Sequence, residues 1–295
     1  MHQEPKHSAS KLAVIIATYN RASWLPGVLE DALAQLEEGM ELLVIDQSDE
    51  SDYTATARLI ATLADPRVRH LQHSPPGLPQ ARNVGASHTG APILIFLDDD
   101  VRLKEGCLQA HAKTYNDPEV GGVVGRILED DARENAASLR NAVGPGGRVR
   151  SNLTGTRDGQ VDMLKGANMS VRHSALDEAG GFDPGFRGTS FLEEGDLSER
   201  LRRSGWTLRF AAGAVVEHAR AAEGGCRVES RREAEKWRFH NTGRFWRRNR
   251  PWWGLALVVP TLSGVALKRA WQWRDPRCVV GLMRRFMEGW QDGQS

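Results

Sequence analysis

Asp98, Asp99 and Asp100 stand in a row directly after the apolar run Ile93-Leu94-Ile95-Phe96-Leu97, so a buried strand delivers three carboxylates to the end of a sheet. Three adjacent anions repel one another. A divalent cation bridging to a phosphorylated ligand offsets that repulsion with the fewest added parts. The competing reading is a solvated acidic turn that caps the next helix. A second acidic cluster, Glu193-Glu194-Gly195-Asp196, opens a helical pattern over 197–204. It offers a general base for deprotonating a hydroxyl, or simply anions that favour a helix N-terminus.

Alternating hydrophobic periods supply the elements that must position these groups. Strands are expected over 12–17, 41–46, 68–71 and 93–97, with helices over 24–37, 53–63 and 80–87 and a turn at Pro75-Pro76-Gly77. This βαβα order defines an α/β chain with a largely parallel central sheet flanked by helices. Parallel sheets gather ligands where their strands end, and Thr18-Tyr19-Asn20, Asp46-Gln47 and Asp98-Asp99-Asp100 would then face one crevice. Residues 143–159, rich in Gly, Arg and Ser, are expected as a loop over it.

The chain has 295 residues, is 40% hydrophobic and carries a formal charge of +1. That charge is unevenly spread: residues 227–295 hold 15 Lys/Arg against 6 Asp/Glu, a net +9, and the first 226 hold 24 against 32, a net −8. Seven of the nine tryptophans also fall in the tail, marking it as a different surface from the body. Within it, 227–250 has helical character, with Val228, Trp237 and Trp246 among arginines. Residues 252–267 form an apolar run interrupted by Pro260. That run is short of the roughly 20 residues needed to span a bilayer. Two readings stand side by side, an interfacial segment on an anionic leaflet and a helical extension packed on the body. Nucleic acid is not expected, since neither a zinc finger nor a helix-turn-helix pattern occurs.

Cys107, Cys226 and Cys278 lie far apart without C-x-x-C spacing, which indicates neither a disulfide framework nor a zinc site and suits the reducing cytoplasm. The apolar run 12–17 is too short for a signal-peptide core, so the sequon at Asn152-Leu153-Thr154 is not expected to be used. Gly121-Gly122-Val123-Val124-Gly125 lacks the G-x-G-x-x-G spacing, and 126–131 continues a strand instead of opening a helix, which argues against dinucleotide binding. No P-loop or G-x-S-x-G elbow is found.

Taken in order, Val14 to Arg21 (VIIATYNR), Val44-Ile45-Asp46, Gly77 with Ala81-Arg82-Asn83-Val84-Gly85, and Leu97 to Asp100 resemble family 2 glycosyltransferases. The resemblance continues through Lys165-Gly166-Ala167-Asn168-Met169-Ser170, Gly180-Gly181-Phe182-Asp183 and Glu193 to Leu197, and ends near Val215-Val216-Glu217-His218. It covers roughly residues 12–218 and leaves the basic tail outside. It implies a GT-A fold and inverting, Mg2+- or Mn2+-assisted transfer of a sugar from a nucleoside diphosphate to a hydroxyl. The catalytic domain would span 1–226, with a nucleotide-sugar half to about 100 and an acceptor half from 101, followed by the helical extension 227–295.

Residue roles follow from the same resemblance. Ala17, Thr18, Tyr19, Arg21, Asp46, Gln47, Gly77, Arg82, Asp98 and Asp99 are expected to bind the donor. Asp100, Asp98 and His218 are expected to hold the metal. Gly166, Ala167, Asn168, Phe182, Asp183 and Glu193 are expected on the acceptor side. The family's Glu-Asp pair aligns with Glu193-Glu194, a departure that makes Glu194 the first choice of base and Asp196 the second. Gln47 stands where Asp or Asn is common, so the base is open, with UDP or dTDP sugars favoured. The acceptor is a glycan, a lipid-linked glycan or a small molecule, met in the cytoplasm or on the cytoplasmic face of the membrane. A nucleotide-sugar-binding protein without turnover and a nucleotidyltransferase are the alternatives.

Overall fold

The computed structural model describes residues 11–129, 140–144, 147–219, 225 and 230–294; Cys226, Val228 and the end of the expected 126–131 strand lie outside them. The apolar runs form β1 (Leu12–Thr18), β2 (Met40–Asp46) and β4 (Ile93–Asp98), buried along nearly their whole length as befits central strands covered on both faces. β3 (Val68–Gln72), half exposed, closes one edge. These four pair in parallel, with Thr18 opposite Asp46 and Ala17 opposite Asp98, so the three strand ends lie side by side.

Beyond β4 the sheet becomes mixed. β10 (Asn168–Arg172) runs antiparallel between β4 and β6 (Val120–Leu128). The long β11 (Thr207–His218) lies parallel to β6, and the short β5 (Val101–Leu103) closes the far edge antiparallel to β11. The β5–β11 pairing carries His218 back beside Val101, next to the acidic run.

Helices α1 (Leu25–Leu33), α2 (Glu50–Leu63) and α3 (Leu78–Ser87) link the parallel strands, and α4 (Cys107–Thr114), α5 (His173–Glu178) and α6 (Glu193–Arg203) follow. α2 starts three residues earlier than its apolar pattern implies, because the Asp49 side chain accepts a hydrogen bond from the Asp52 N–H and caps it. α6 likewise starts four residues early, taking Glu193, Glu194 and Asp196 into its first turn.

The expected loop over 143–159 is instead organised around a hairpin of β7 (Arg140–Val143) and β8 (Val149–Asn152), and β9 (Gly159–Gln160) joins β11. Val143 and Val149 pair across this hairpin and pack on a second hydrophobic core. That core is built mostly by the tail, through α7 (Arg231–Asn249), α8 (Leu255–Trp273) and α9 (Cys278–Asp292). It also takes Phe186 and Leu192 from before residue 226, so the extension and the body share packing.

α7 and α9 cross at glycines: a Cβ on Gly289 would collide with the His240 carbonyl, and one on Gly243 with the Phe286 carbonyl. Polar ties join this extension to the body. Arg244 donates to both Asp183 oxygens at 2.7 and 2.8 Å, Asn249 Nδ2 to Asp196 at 2.6 Å, and Arg250 to Glu199 at 2.6 Å. The extension therefore packs on the body, as one of the two sequence readings has it.

Candidate active site

The strand ends open into a cleft of about 1170 Å³. Along its floor the acidic run divides. The Asp99 side chain turns into the protein, accepting from Thr18 Oγ1 and Arg21 NH1, both at 2.8 Å. Burial pushes its carboxyl up to about 6 despite the opposing Arg21 charge and these hydrogen bonds. Asp98 and Asp100 face His218 instead: Nε2 lies 3.9 Å from Asp98 Oδ2 and 3.2 Å from Asp100 Oδ1. One donor atom from each of the three falls within 4.8 Å of the others. Two carboxylates and an imidazole on one rigid sheet edge fit a hard or borderline divalent ion such as Mg2+ or Mn2+. Burial lowers the His218 pKa, but Asp100, Asp98 and Glu129 outweigh it and hold the imidazole above its usual value.

The donor-side residues take distinct places. Ala17, Thr18, Tyr19, Arg21, Gln47, Gly77 and Arg82 line the cleft. Arg21 is nevertheless occupied by Asp99 and lies 3.5 Å from Asp100, so it braces the acidic run. Gln47 Oε1 accepts the Gly77 N–H at 2.6 Å and ties the turn before α3 to the end of β2. Asp46 does not reach the cleft. It is fully buried, accepts from the Ser48 N–H at 2.9 Å, and its other oxygen lies 3.1 Å from His70 Nε2.

Opposite the acidic run, α6 presents its first turn after Leu192, whose left-handed φ of 70° turns the chain into the helix. Glu193 is buried in an ion pair with Arg82, and Arg82 NH2 lies 3.7 Å from Asp98 Oδ1. Arg82 thus connects the two acidic clusters while its guanidinium sits over the Phe182 ring. Glu194 lines the cleft, accepting the Gly166 N–H at 3.0 Å with Lys165 Nζ at 3.4 Å. Burial raises its pKa, but the Lys165 and Arg82 charges and the Gly166 N–H outweigh it, so the carboxyl lies below the ordinary glutamate value. The same pairing holds the Lys165 ammonium above its own usual value. Gly166 is required by close approach, since a Cβ there would collide with Arg82 and crowd Glu194 Oε1.

Several expected residues are placed elsewhere. Asp196 is fully buried and spends its oxygens on Arg200 at 2.8–2.9 Å and Asn249 at 2.6 Å, which corrects its standing as second choice of base. Asp183 is held by Arg244, and Phe182 is a core residue whose backbone exchanges two 2.8 Å hydrogen bonds with the Asn83 amide. Ala167 is buried. Asn168 bonds His111 and the carbonyls of Arg126 and Ala214 inside the sheet. None of these five lines the cleft, and of the expected acceptor set only Glu193 does. Gly166 stands beside Glu194, its N–H donating to Oε1 at 3.0 Å.

Other residues line the cleft without a place in the motif reading: Met163, Val149, the segment 186–192, and Ser230, Arg231, Ala234 and Trp237 of the extension. A tryptophan and arginines on a helix directly after the resembling region were their one sequence signal.

A mixed, mostly parallel sheet flanked by helices, with carboxylates at its strand ends, is the GT-A architecture, and solved structures agree on the fold. GalNAc-T7 with UDP, GalNAc and Mn2+ superposes with a TM-score of 0.64 at 17% identity, over 82% of this chain and 48% of that one. The mannosyltransferase PcManGT from Pyrobaculum calidifontis, in complex with GDP-Man and Mn2+, superposes with a TM-score of 0.61 at 15% identity, over 97% and 88%. These likenesses concern the fold. The family model of glycosyl transferase family 2 matches residues 13–180, and the chain belongs to that family. Glu194 and His218 follow the matched span.

Among relatives in sequence, a pre-mycofactocin glycosyltransferase of Mycobacterium tuberculosis is 28% identical over 227 residues, 74% of this chain and 45% of that protein. The chain thus spans about half the length of that relative. The O-antigen chain rhamnosyltransferase RfbN of Salmonella typhimurium is 25% identical over 214 residues, 71% of this chain and 66% of that protein.

Proposed function

We propose that this chain transfers a sugar from a nucleoside diphosphate to an acceptor hydroxyl with inversion, using Glu194 as the base. The observation that carries the reading is that Glu194 and the Asp98–Asp100–His218 set line one cleft, with Arg82 between them. Glu194, ionised at neutral pH, takes the acceptor proton as the hydroxyl oxygen forms its bond to the anomeric carbon. On the opposite face the bond from that carbon to the diphosphate breaks, and the diphosphate leaves with the electron pair. Asp98, Asp100 and His218 would hold Mg2+ or Mn2+, which neutralises charge developing on the leaving diphosphate. Arg82 supplies further positive charge beside Asp98. Tyr19 offers a ring face for the base, and UDP or dTDP sugars are the donors we infer.

The test is donor consumption across a panel of nucleoside diphosphate sugars with Mn2+ and Mg2+, beside thermal-shift binding. Metal-dependent release of nucleoside diphosphate supports the reading. A protein that binds donors without turning any over is a binding protein instead, and pyrophosphate release from a nucleoside triphosphate identifies a nucleotidyltransferase.

A further inference from the structure

α8 is apolar on two opposite faces. Val258, Leu262 and Ala266 are buried against the extension's core, as the four-residue spacing of one helix face requires. On the other side Leu257, Pro260, Gly264, Leu267 and Trp271, continued by Trp253 in the 3-10 turn just before the helix, recur every three or four residues and form an exposed stripe. Trp253 is 60% exposed, Leu257 50%, Leu267 61% and Trp271 82%. A helix with a second apolar face needs a cover for it inside a protein or in lipid, yet this face lies on the surface.

Charge selects what covers it. From 247 to 274 the sequence carries six Lys/Arg and no acidic residue; Arg248, Arg250 and Arg269 pair with Asp183, Glu199 and Glu235, and Arg247, Lys268 and Arg274 are exposed. Tryptophans border the apolar stretch at both ends, Trp252-Trp253 and Trp271. Beside the C-terminal end of α8, Trp273 opens onto a groove lined by Arg232, Lys236, Arg277, Arg284 and Arg285, with only Asp275 and Glu288 opposing. A second copy of the chain is a poor occupant, because a two-fold contact through α8 would set these cations against their own copies. No described helix is long and apolar enough to cross a membrane.

We infer that α8 lies flat in the interface of an anionic phospholipid leaflet, its Trp253–Trp271 stripe in the acyl boundary and the exposed Arg247, Lys268 and Arg274 among the headgroups. The body, at net −8, is repelled by the same leaflet, so the molecule is oriented tail first. Contacts join this surface to the cleft: the Arg285 guanidinium, in the basic groove, sits 5.7 Å from the ring of Trp237, which lines the cleft wall. The inference rests on no step of the transfer reaction, and its readout needs no turnover.

Co-sedimentation of the full chain with phosphatidylcholine vesicles, with and without phosphatidylglycerol, tests it, with tryptophan emission read in parallel. Binding is expected only to the anionic vesicles, with a blue-shifted emission, and is weakened by added salt. Leu267→Glu and, separately, Trp271→Ser should each lower the partition coefficient about tenfold while leaving the thermal midpoint and donor binding unchanged. Three results would each overturn it: no binding to anionic vesicles, equal binding by both variants, or a wild-type dimer that Leu267→Glu dissolves without vesicle binding.

Discussion

His218 Nε2 lies 3.2 Å from Asp100 Oδ1 because β5 and β11 pair antiparallel and set the end of one strand beside the start of the other. The closeness of Asp98, Asp100 and His218 is thus a property of strand register.

Replacing Asp100 or His218 by Ala removes one ligand and should lower metal-stimulated turnover about 100-fold or more. Mn2+ affinity, measured by titration in the presence of nucleoside diphosphate, should fall in parallel. Turnover unchanged in both variants would move the metal elsewhere.

Glu194→Gln keeps the shape of the site and removes the base, so kcat should fall about 10²- to 10⁴-fold with donor affinity retained. The lowered Glu194 pKa keeps the carboxylate ionised below the ordinary glutamate range, so activity should hold as pH falls towards that range. Lys165→Ala removes the charge that favours the ionised form and should shift the acid limb of the kcat/KM profile upward.

Arg244→Ala would take from the buried Asp183 carboxylate the partner that binds both its oxygens, leaving Arg248 and the Gly185 N–H, at a cost of up to about 3 kcal/mol in chemical denaturation. Burial raises the Asp183 pKa, but Arg244, the Gly185 N–H and Arg248 outweigh it and hold the carboxyl below its usual value. The stability this adds is present above the unfolded-state pKa and is lost as pH falls through the lowered folded value. The variant should therefore lose less than the wild type across that acid range.

Gly289→Ala forces a methyl against the His240 carbonyl and should push α9 off α7. A loss of about 1–3 kcal/mol is expected, read as a lower thermal midpoint. An unchanged midpoint would show that the helices can part without penalty.

The strand ends and both acidic clusters were legible because apolar runs and motif order are local signals. What Asp183 and Asp196 do was not. Both are acids inside a motif, and their partners Arg244 and Asn249 arrive from a helix beyond the resembling region, so sequence alone left them looking like site residues. Segment 186–192 escaped for a related reason: Phe186 and Leu192 are set by packing on the extension, which no local periodicity records. Asp46 carried the motif's signal, but its carboxylate holds Ser48 and faces His70 within the fold.

Trp237 and Arg231 come from α7, outside the span that the family model matches, yet they complete one wall of the cleft. Chimeras could exploit this division of labour. Joining residues 181–295 to another member's first 180 would exchange the Asp98–Asp100 end of the cleft and carry over Glu194, His218 and the α7 wall, provided the junction preserves the seats of Phe186 and Leu192.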